Sequence, residues 1–290
     1  MSALLLKLLG LGRFLPVPLL RLAGAALGSL FYLTARERRA VAHANLAACF
    51  PALSDARRSA LVRAVFRAFA RSVLDRAVLW HGSADRVRRF VQIDGREHLD
   101  ALTGRPVILL APHFAGLDAG GIRITADWRI VSIYSRQKDA AFDAALLAGR
   151  SRFNAPMLLT RQAGVRSALR GLSMGLPFYY LPDMDFGARD AVFVPFFGVP
   201  AATVTALSRL ARLSGASVLP CVTRMTADGY RTTIQPAWRD FPGPSLEEDA
   251  RRINAFIEAE VREMPEQYHW LHKRFKTRPP GAPPFYKPSA

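Results

Sequence analysis

The sequence predicts an α/β fold with a mostly parallel central sheet flanked by helices, and an N-terminal helical membrane-anchoring segment. Three observations lead to this prediction. Short apolar runs alternate with helix-like stretches after residue 90. The run from Val107 to Ala111 is continuously apolar, as expected for a parallel strand buried on both faces. The first 33 residues are strongly apolar, and the 290-residue chain is long enough to bury a full core.

The predicted anchor, residues 1–33, is interrupted by charge and by proline. Lys7, Arg13 and Arg21 break up its apolar surface, and Pro16 and Pro18 lie in its middle. A spanning helix needs ~20 apolar residues in a row, and no such run occurs here. Arg21 lies late in the apolar stretch, where a signal peptide should have its uncharged core, so a signal peptide is disfavoured. The scattered cations favour a retained helix in the membrane interface, with its charges among lipid headgroups. A spanning helix stays open as the alternative.

Residues 34–90 are predicted to form a helical, Arg-rich segment. Ser54 or Asp55 can cap a helix that runs to about Trp80, and apolar residues recur in it at four-residue spacing. Its arginines contribute to a net charge of +17, from 40 Lys and Arg against 23 Asp and Glu. Such an excess favours nucleic acid, an anionic membrane, a phosphorylated lipid or an acidic carrier protein as partner, or it is simply a solvated basic surface.

Residues 91–290 are predicted to form the α/β domain. The predicted strands are FVQIDG, PVILLAP, RIVSIY, PMLLT, LPFYYLP, AVFVPFF, ASVLPCVTR and YRTTIQP. The predicted helices between them are DAAFDAALLAGRSRF, AGVRSALRGLSMG and TVTALSRLARLSG. Ligands of such sheets lie beyond the carboxyl ends of the strands, so chemically active residues should follow the apolar runs. From Phe275 onward, a basic Pro-rich C-terminal tail should be extended and loosely held.

The segment PVILLAPHFAGLDAGG carries the strongest chemical signal. His113 follows a predicted core strand, and Asp118 comes five residues later near a helix start. A carboxylate that touches one imidazole nitrogen fixes the tautomer, and the other nitrogen can then take a proton from an alcohol. The alternative is a loop histidine followed by a helix N-cap, because a bare His-x4-Asp match is short. Gly116, Gly120 and Gly121 would let the backbone approach a ligand.

Further polar residues follow other strands or, for Arg150, end a predicted helix. Asp183 and Asp185 could bind a metal, a sugar or an arginine, or could simply form a turn. Arg136 and Arg150 could clamp a phosphate, or could be surface charge.

Three other patterns favour structural interpretations. Gly171–Gly175 matches the G-x-S-x-G motif of hydrolases, but a helix precedes it and a strand follows, which is the reverse of the required order. His269 and His272 lack the companions of a zinc site, so packing or surface roles are expected. The two cysteines, Cys49 and Cys221, indicate neither a disulfide framework nor a metal site.

Four blocks extend the His113–Asp118 match along the chain to Pro279. This set resembles the lipid A biosynthesis acyltransferases, the late lauroyl- or myristoyl-transferring enzymes of Gram-negative bacteria, within the lysophospholipid acyltransferase-like superfamily. The blocks are YSRQ, GRSRF, LPDMDFGARDAVFVPFFGVPAATVTALSRLARLSGASVLPC and PEQYHWLHKRFKTRP.

The resemblance implies an α/β acyltransferase domain with its N-terminal helix in the bacterial inner membrane. It implies an acyl thioester on acyl carrier protein, an acidic protein, as donor. The implied acceptor is a hydroxyl of a Kdo-bearing lipid A precursor, a phosphorylated glycolipid. No metal or other cofactor is expected, because the activated alcohol can attack the thioester directly. The run Arg36, Arg38 and Arg39 suits the anionic cytoplasmic face of that membrane.

The resemblance also assigns residues. His113 matches the general base of the family and Asp118 its carboxylate partner, while Arg150 and Asp183 match residues that the family needs for activity. Arg136 occurs in Tyr-Ser-Arg, where members of the family often read Tyr-Arg-Pro. Leu-Pro-Asp-Met-Asp replaces the Phe-Pro-Glu-Gly-Thr of glycerolipid acyltransferases, which argues against glycerol phosphate as acceptor. The remaining predicted substrate-binding residues are Asp185 and, for a hydrocarbon pocket, Phe193, Phe196 and Phe197.

Two alternative functions remain open. One keeps acyl transfer and changes the acceptor to an amino-lipid, another glycolipid or a lysophospholipid. The other is a non-catalytic basic membrane adaptor, although a pure binder has no use for a positioned base. A nucleic-acid binder is not expected, because the apolar N-terminus and the missing recognition motifs do not fit one.

Overall fold

The computed structural model of the chain describes residues 3–160 and 164–287. The helices described there are α1 (Ala3–Leu11), α2 (Val17–Thr34), α3 (Arg36–Cys49), α4 (Asp55–Leu74), α5 (Arg76–His81), α6 (Ala84–Phe90), α7 (Arg96–Asp100), α8 (Leu117–Thr125), α9 (Ala140–Arg150), α10 (Gly164–Ser173), α11 (Ala206–Ser214) and α12 (Leu246–Glu263). The strands are β1 (Val91–Asp94), β2 (Val107–Leu110), β3 (Val131–Tyr134), β4 (Met157–Thr160), β5 (Phe178–Tyr180), β6 (Ala191–Phe196), β7 (Val199–Val204), β8 (Ser217–Met225) and β9 (Tyr230–Ile234).

Seven strands form the central sheet, in the order β1-β9-β8-β2-β5-β3-β4. Neighbours pair in parallel except β8 and β9, which are antiparallel. In the middle of the sheet Ile108 lies between Phe178 and Val218. Helices flank this sheet, so the predicted fold class is confirmed.

Strand β2 is continuously apolar because both of its faces are buried. Ile108 and Leu110 belong to a core cluster with α3 and α4, whereas Val107 and Leu109 belong to a cluster with α8 on the other face. All four side chains are buried. Each contributes about 1.5–3 kcal/mol by burial, which places β2 at the rigid centre of the domain.

The predicted elements match the structure in most places. All eight predicted strands form, but AVFVPFF pairs with β7 in a separate antiparallel hairpin instead of joining the sheet. Strand β7 was missed, and the helix predicted to start at residue 203 begins at Ala206. The predicted α10 began at residue 163, which lies outside the described residues. The predicted helix from Ser54 is capped by that side chain but is divided at Asp75 into α4 and α5.

The N-terminal helices dock on the domain. Helix α2 is capped by Pro16, and by length and composition it could cross a membrane. One face packs on α4 so closely that a Cβ atom at Gly28 would lie 2.5 Å from the Cα of Arg67. The other face is apolar and exposed, at Leu19, Leu22, Leu27, Leu30 and Leu33.

Arg21 corrects the expectation that the cations of this segment lie among lipid headgroups. Its guanidinium is buried, donates a 2.8 Å hydrogen bond to the carbonyl of Gly229, and lies 3.4 Å from the Asp75 carboxylate. The reason is helical spacing, because Arg21 shares the inward face of α2 with Gly24 and Gly28.

The C-terminal tail contains turns and is held firmly, which corrects the prediction of an extended, loose segment. Phe275 is fully buried and its ring centroid lies 4.8 Å from that of Phe285. The hydroxyl of Tyr286 donates a 2.5 Å hydrogen bond to Asn45. The aromatic residues of the tail therefore anchor it against α3.

Candidate active site

A cleft opens at the carboxyl ends of the parallel strands. Its larger lobe encloses about 480 Å³ and its smaller lobe about 160 Å³. Both lobes are lined by Arg76, His113, Leu117, Arg150 and His269. The cleft therefore lies where an α/β sheet is expected to bind its ligand.

His113 and Asp183 form the closest polar pair in this cleft. Strands β2 and β5 are parallel neighbours, so the loops that follow them bring the two side chains together. Nδ1 of His113 lies 2.7 Å from one oxygen of Asp183, and the backbone N–H of His113 donates a 2.9 Å hydrogen bond to the other. Asp183 is only 2% exposed, whereas His113 lines the cleft.

The charge state of Asp183 fixes the tautomer of His113. Burial opposes the ionised carboxylate, but the charge and hydrogen bonds of His113, together with Arg274, outweigh it and lower the pKa of Asp183 to about 2. An ionised carboxylate can only accept hydrogen bonds. The proton of a neutral His113 ring therefore lies on Nδ1, and Nε2 keeps the lone pair that a general base needs.

Asp118 does not pair with His113 in the structure, which corrects the predicted contact. Its two oxygens accept hydrogen bonds from Nε of Arg76 at 2.9 Å and Nε of Arg150 at 2.8 Å. Asp118 lies in the first turn of α8, where it meets the start of α5 and the end of α9. Burial favours the neutral acid, but the two guanidiniums together lower the pKa of Asp118 to about 2.

Arg76 is a residue of the site that the sequence analysis missed. Its guanidinium carbon lies 5.3 Å from the ring centroid of Trp80 and 5.8 Å from that of Phe142, which restricts its position. Trp80 packs so closely on α9 that a Cβ atom at Gly149 would lie 2.5 Å from its ring. No local signal distinguishes Arg76 from the other arginines of the predicted Arg-rich segment.

The C-terminal segment 265–272 holds the loop after β2 in place. The N–H of His269 donates to the carbonyl of His113 at 3.0 Å, and the N–H of Ala115 donates to the carbonyl of Gln267 at 2.7 Å. An antiparallel bridge joins Phe114 and Tyr268 between them. The residues after β2 are therefore fixed by a part of the chain about 150 residues away.

The two histidines of this segment are neutral. Burial, followed by the positive charge of neighbours that include His113, lowers the pKa of His269 to about 3 and that of His272 to about 4. Nε2 of His272 accepts a hydrogen bond from the N–H of Asp185, as its neutral form requires. His269 lines both lobes of the cleft, which its predicted packing or surface role did not indicate.

Two of the three glycines after His113, Gly116 and Gly120, serve helix packing. A Cβ atom at Gly116 would lie 2.5 Å from the carbonyl oxygen of Thr223, and one at Gly120 would lie 2.1 Å from the hydroxyl of Thr223. Gly121 faces the ring of Tyr179. Gly116 and Gly120 therefore let α8 approach β8 closely, which corrects the expectation that they admit a ligand. Gly121 lines a small pocket of about 60 Å³ with Asp118 and Arg150.

The predicted substrate-binding polar residues lie outside the cleft wall. Arg136 is exposed, although its neighbours Ser135 and Gln137 line the larger lobe. The carboxylate of Asp185 accepts hydrogen bonds from the N–H and the hydroxyl of Thr277, each at 2.7 Å. The position of Asp185 indicates that it ties down the C-terminal tail.

The predicted hydrocarbon pocket of three phenylalanines is corrected as well. Phe196 is fully buried, Phe197 packs on Trp270 with ring centroids 6.3 Å apart, and Phe193 is half-buried on β6. Among the described residues, the apolar side chains of the larger lobe come from other elements. They include Ile133, Phe142, Leu146, Leu181 and Phe186.

Comparison with known proteins identifies the family. The model of the bacterial lipid A biosynthesis acyltransferase family matches residues 2–277. The lipid A biosynthesis lauroyltransferase of Escherichia coli (strain K12) is 32% identical over 277 residues, which cover 94% of this chain and 90% of the relative. The lipid A biosynthesis palmitoleoyltransferase of the same organism is 30% identical with the same coverage.

A solved structure of a 1-acyl-sn-glycerophosphate acyltransferase from Thermotoga maritima covers 85% of this chain and 97% of its own. Its sequence identity is 15% and its TM-score 0.42. The family match over residues 2–277 and the 32% identity to the lauroyltransferase show that the chain belongs to the bacterial lipid A biosynthesis acyltransferases.

Proposed function

We propose that this enzyme transfers a fatty acyl chain from acyl carrier protein to a hydroxyl of a Kdo-bearing lipid A precursor, with His113 as general base. One observation carries the proposal: Nδ1 of His113 lies 2.7 Å from the ionised Asp183, beside a cleft with apolar walls. The names of the relatives support lipid A chemistry, and the carrier protein as donor follows from the family resemblance.

The reaction needs one base and no covalent intermediate. Nε2 of His113 takes the proton of the acceptor hydroxyl while its oxygen attacks the carbonyl carbon of the thioester. The tetrahedral intermediate collapses as its carbon–sulfur bond breaks. The departing thiolate takes the proton from the imidazolium, which leaves an ester, a free thiol and neutral His113. Asp183 holds the ring and stabilises the imidazolium between the two proton transfers.

The proposed roles of the other residues follow their contacts. Arg150 belongs to the site, because it lines both lobes and bonds Asp118. Asp118 acts on the arginines instead of on His113. The acyl chain lies in the larger lobe, against residues such as Ile133 and Leu146.

The location and partners follow from charge and exposure. The exposed leucines of α1 and α2 rest in the inner membrane, and the basic excess favours its anionic cytoplasmic face. The net charge of +17 also attracts an acidic carrier protein and a phosphorylated glycolipid acceptor.

Reconstitution tests this proposal. Purified enzyme is mixed with acyl-loaded carrier protein and a Kdo-lipid A precursor, and the acylated product is measured by mass spectrometry. We expect ester product from the wild type and roughly a hundredfold or greater loss of rate in His113→Ala, the usual scale for a general base. Near-normal turnover in that variant would remove the assigned role of His113. No product from the wild type would reject this donor and acceptor.

A further inference from the structure

Arg76, Asp118 and Arg150 form a cluster whose hydrogen bonds are incomplete. Each guanidinium reaches Asp118 through Nε, at 2.9 and 2.8 Å. The terminal nitrogens of both arginines have no hydrogen-bond partner among the residues that the structure describes. Both side chains are partly exposed, by 19% and 26%, and both line the two lobes of the cleft beside His113.

The charge of the cluster is unbalanced. Two guanidiniums face one ionised carboxylate, which leaves one net positive charge. Asp118 is 10% exposed as a side chain and holds the arginines from behind, while Trp80 and Phe142 flank the guanidinium of Arg76. The rotamer entropy that free arginines lose on binding an anion is therefore already reduced.

We propose that Arg76 and Arg150, held side by side by Asp118, bind a phosphate group of one of the two substrates beside His113. The inference rests on the proposed function, in which the prosthetic arm of the carrier protein and the acceptor glycolipid both carry phosphate esters. Two planar guanidiniums with free terminal nitrogens match several oxygens of a tetrahedral phosphate. Asp118 already binds the Nε atoms of both arginines, so the terminal nitrogens and the net positive charge remain for a further anion. A phosphate dianion carries more charge and more acceptor oxygens than a second carboxylate would.

A binding experiment tests the site without any turnover. The thermal midpoint of the purified enzyme is measured with inorganic phosphate, and with sodium acetate at the same ionic strength. We expect phosphate to raise the midpoint of the wild type and of Arg166→Gln, an exposed arginine on α10. Arg76→Gln should lose this shift. Equal shifts from phosphate and acetate, or an unchanged phosphate shift in Arg76→Gln, would overturn the proposal.

Steady-state kinetics then identify the substrate that carries the phosphate. Arg76→Gln should raise one KM by roughly tenfold or more, the scale of one lost charge-assisted hydrogen bond, with a smaller change in kcat. A higher KM for the acyl carrier protein assigns the site to the donor, and a higher KM for the glycolipid assigns it to the acceptor. A fall in kcat with both KM values unchanged would overturn the proposal in favour of transition-state stabilisation.

Controls separate this proposal from folding defects and from the proposed function. Arg76→Lys keeps the charge and should recover part of the KM change, which a merely structural arginine would not predict. If Arg76→Gln unfolds, the lysine variant supplies both measurements, with a reduced phosphate shift expected and an undiminished shift contradictory. A wild type that binds phosphate but forms no product contradicts the proposed function and leaves the phosphate site intact.

Discussion

At the scale of single residues, two aspartates near His113 bind different groups of the site. Asp183 holds the ring and the backbone of His113, and Asp118 holds two arginines. Both acids stay ionised because their partners outweigh the cost of burial and lower each pKa to about 2. The two carboxylates therefore have similar charge states but act on different groups.

Because the two aspartates bind different groups, their isosteric Asn variants should change different kinetic constants. Asp183→Asn presents an amide N–H₂ to either Nδ1 or the backbone N–H of His113, so the ring loses its tautomer or its orientation. We expect kcat to fall roughly a thousandfold or more with a nearly unchanged KM. Asp118→Asn should mainly raise KM, because it loosens Arg76 and Arg150. If Asp118→Asn lowered kcat as far as Asp183→Asn does, Asp118 would assist His113 directly during turnover.

The residues of the site could be predicted from sequence, but their partners could not. His113 and Asp183 were found because polar residues after apolar runs mark the carboxyl ends of strands. Asp118 was found from its spacing to His113, and Arg150 from the family resemblance. The pairing depends on strand order, and β5 lies beside β2 although β3 and β4 intervene in the chain. Sequence proximity therefore favoured Asp118 over the true neighbour of His113.

At the scale of elements, α2 is both a membrane candidate and a part of the folded domain. Gly24 and Gly28 allow its backbone to touch α4, and Arg21 makes a buried ion pair with Asp75. The hydroxyl of Tyr230 also donates a 2.6 Å hydrogen bond to Asp75. Because α4 supplies residues of the smaller lobe, the membrane-facing helix is only one helix away from the site.

A larger residue at position 28 should separate these helices. Gly28→Val places side-chain atoms against the backbone of Arg67 and Phe66, which cannot move aside cheaply. We expect a loss of about 1–3 kcal/mol in the free energy of unfolding, measured by denaturant titration in detergent. Ala26→Val adds similar bulk to the exposed face of α2 and should stay close to the wild type. Equal stability of both variants would show that the close contact contributes nothing.

The elements themselves were largely predictable, and the exceptions have physical causes. β2 is a continuous apolar run and α4 has a clear helical apolar period, so local pattern and tertiary burial agree. β7 was missed because VPAATV has small side chains and runs directly into a strong helix pattern. The inward face of α2 was not predicted, because it consists largely of glycine and a buried arginine and so lacks the apolar stripe that marks a buried helix face.

At the scale of the whole molecule, the site is assembled from distant parts of the chain and closed by its C-terminal end. Arg76 lies before the sheet begins, and His113 and Asp183 follow central strands. The segment 265–272 then pairs with the loop after β2. His269 and His272, whose pKa values are lowered, lie in this segment. Protonation of either histidine should therefore disturb the segment that borders the site.

The lowered pKa values of these two histidines predict that acid destabilises the fold at pH values well above the pKa of a carboxylate. An unfolded histidine takes up a proton near pH 6.5, whereas folded His272 does so near pH 4 and folded His269 near pH 3. Below pH 6.5 the unfolded chain therefore binds more protons. Stability falls as the pH drops toward 4, by up to about 1.4 kcal/mol per pH unit for each histidine.

Denaturant midpoints between pH 7.5 and pH 4.5 measure this slope. His272→Gln keeps a side-chain acceptor, an amide oxygen, for the N–H of Asp185 but cannot titrate. It should therefore flatten the fall by about one proton. Leu271→Ala, a buried apolar change in the same segment, should lower the free energy of unfolding by a similar amount at every pH. If His272→Gln kept the wild-type slope, His272 would titrate alike in the folded and unfolded chains. Burial, together with the positive charge of neighbours, could not then be what keeps the imidazole neutral.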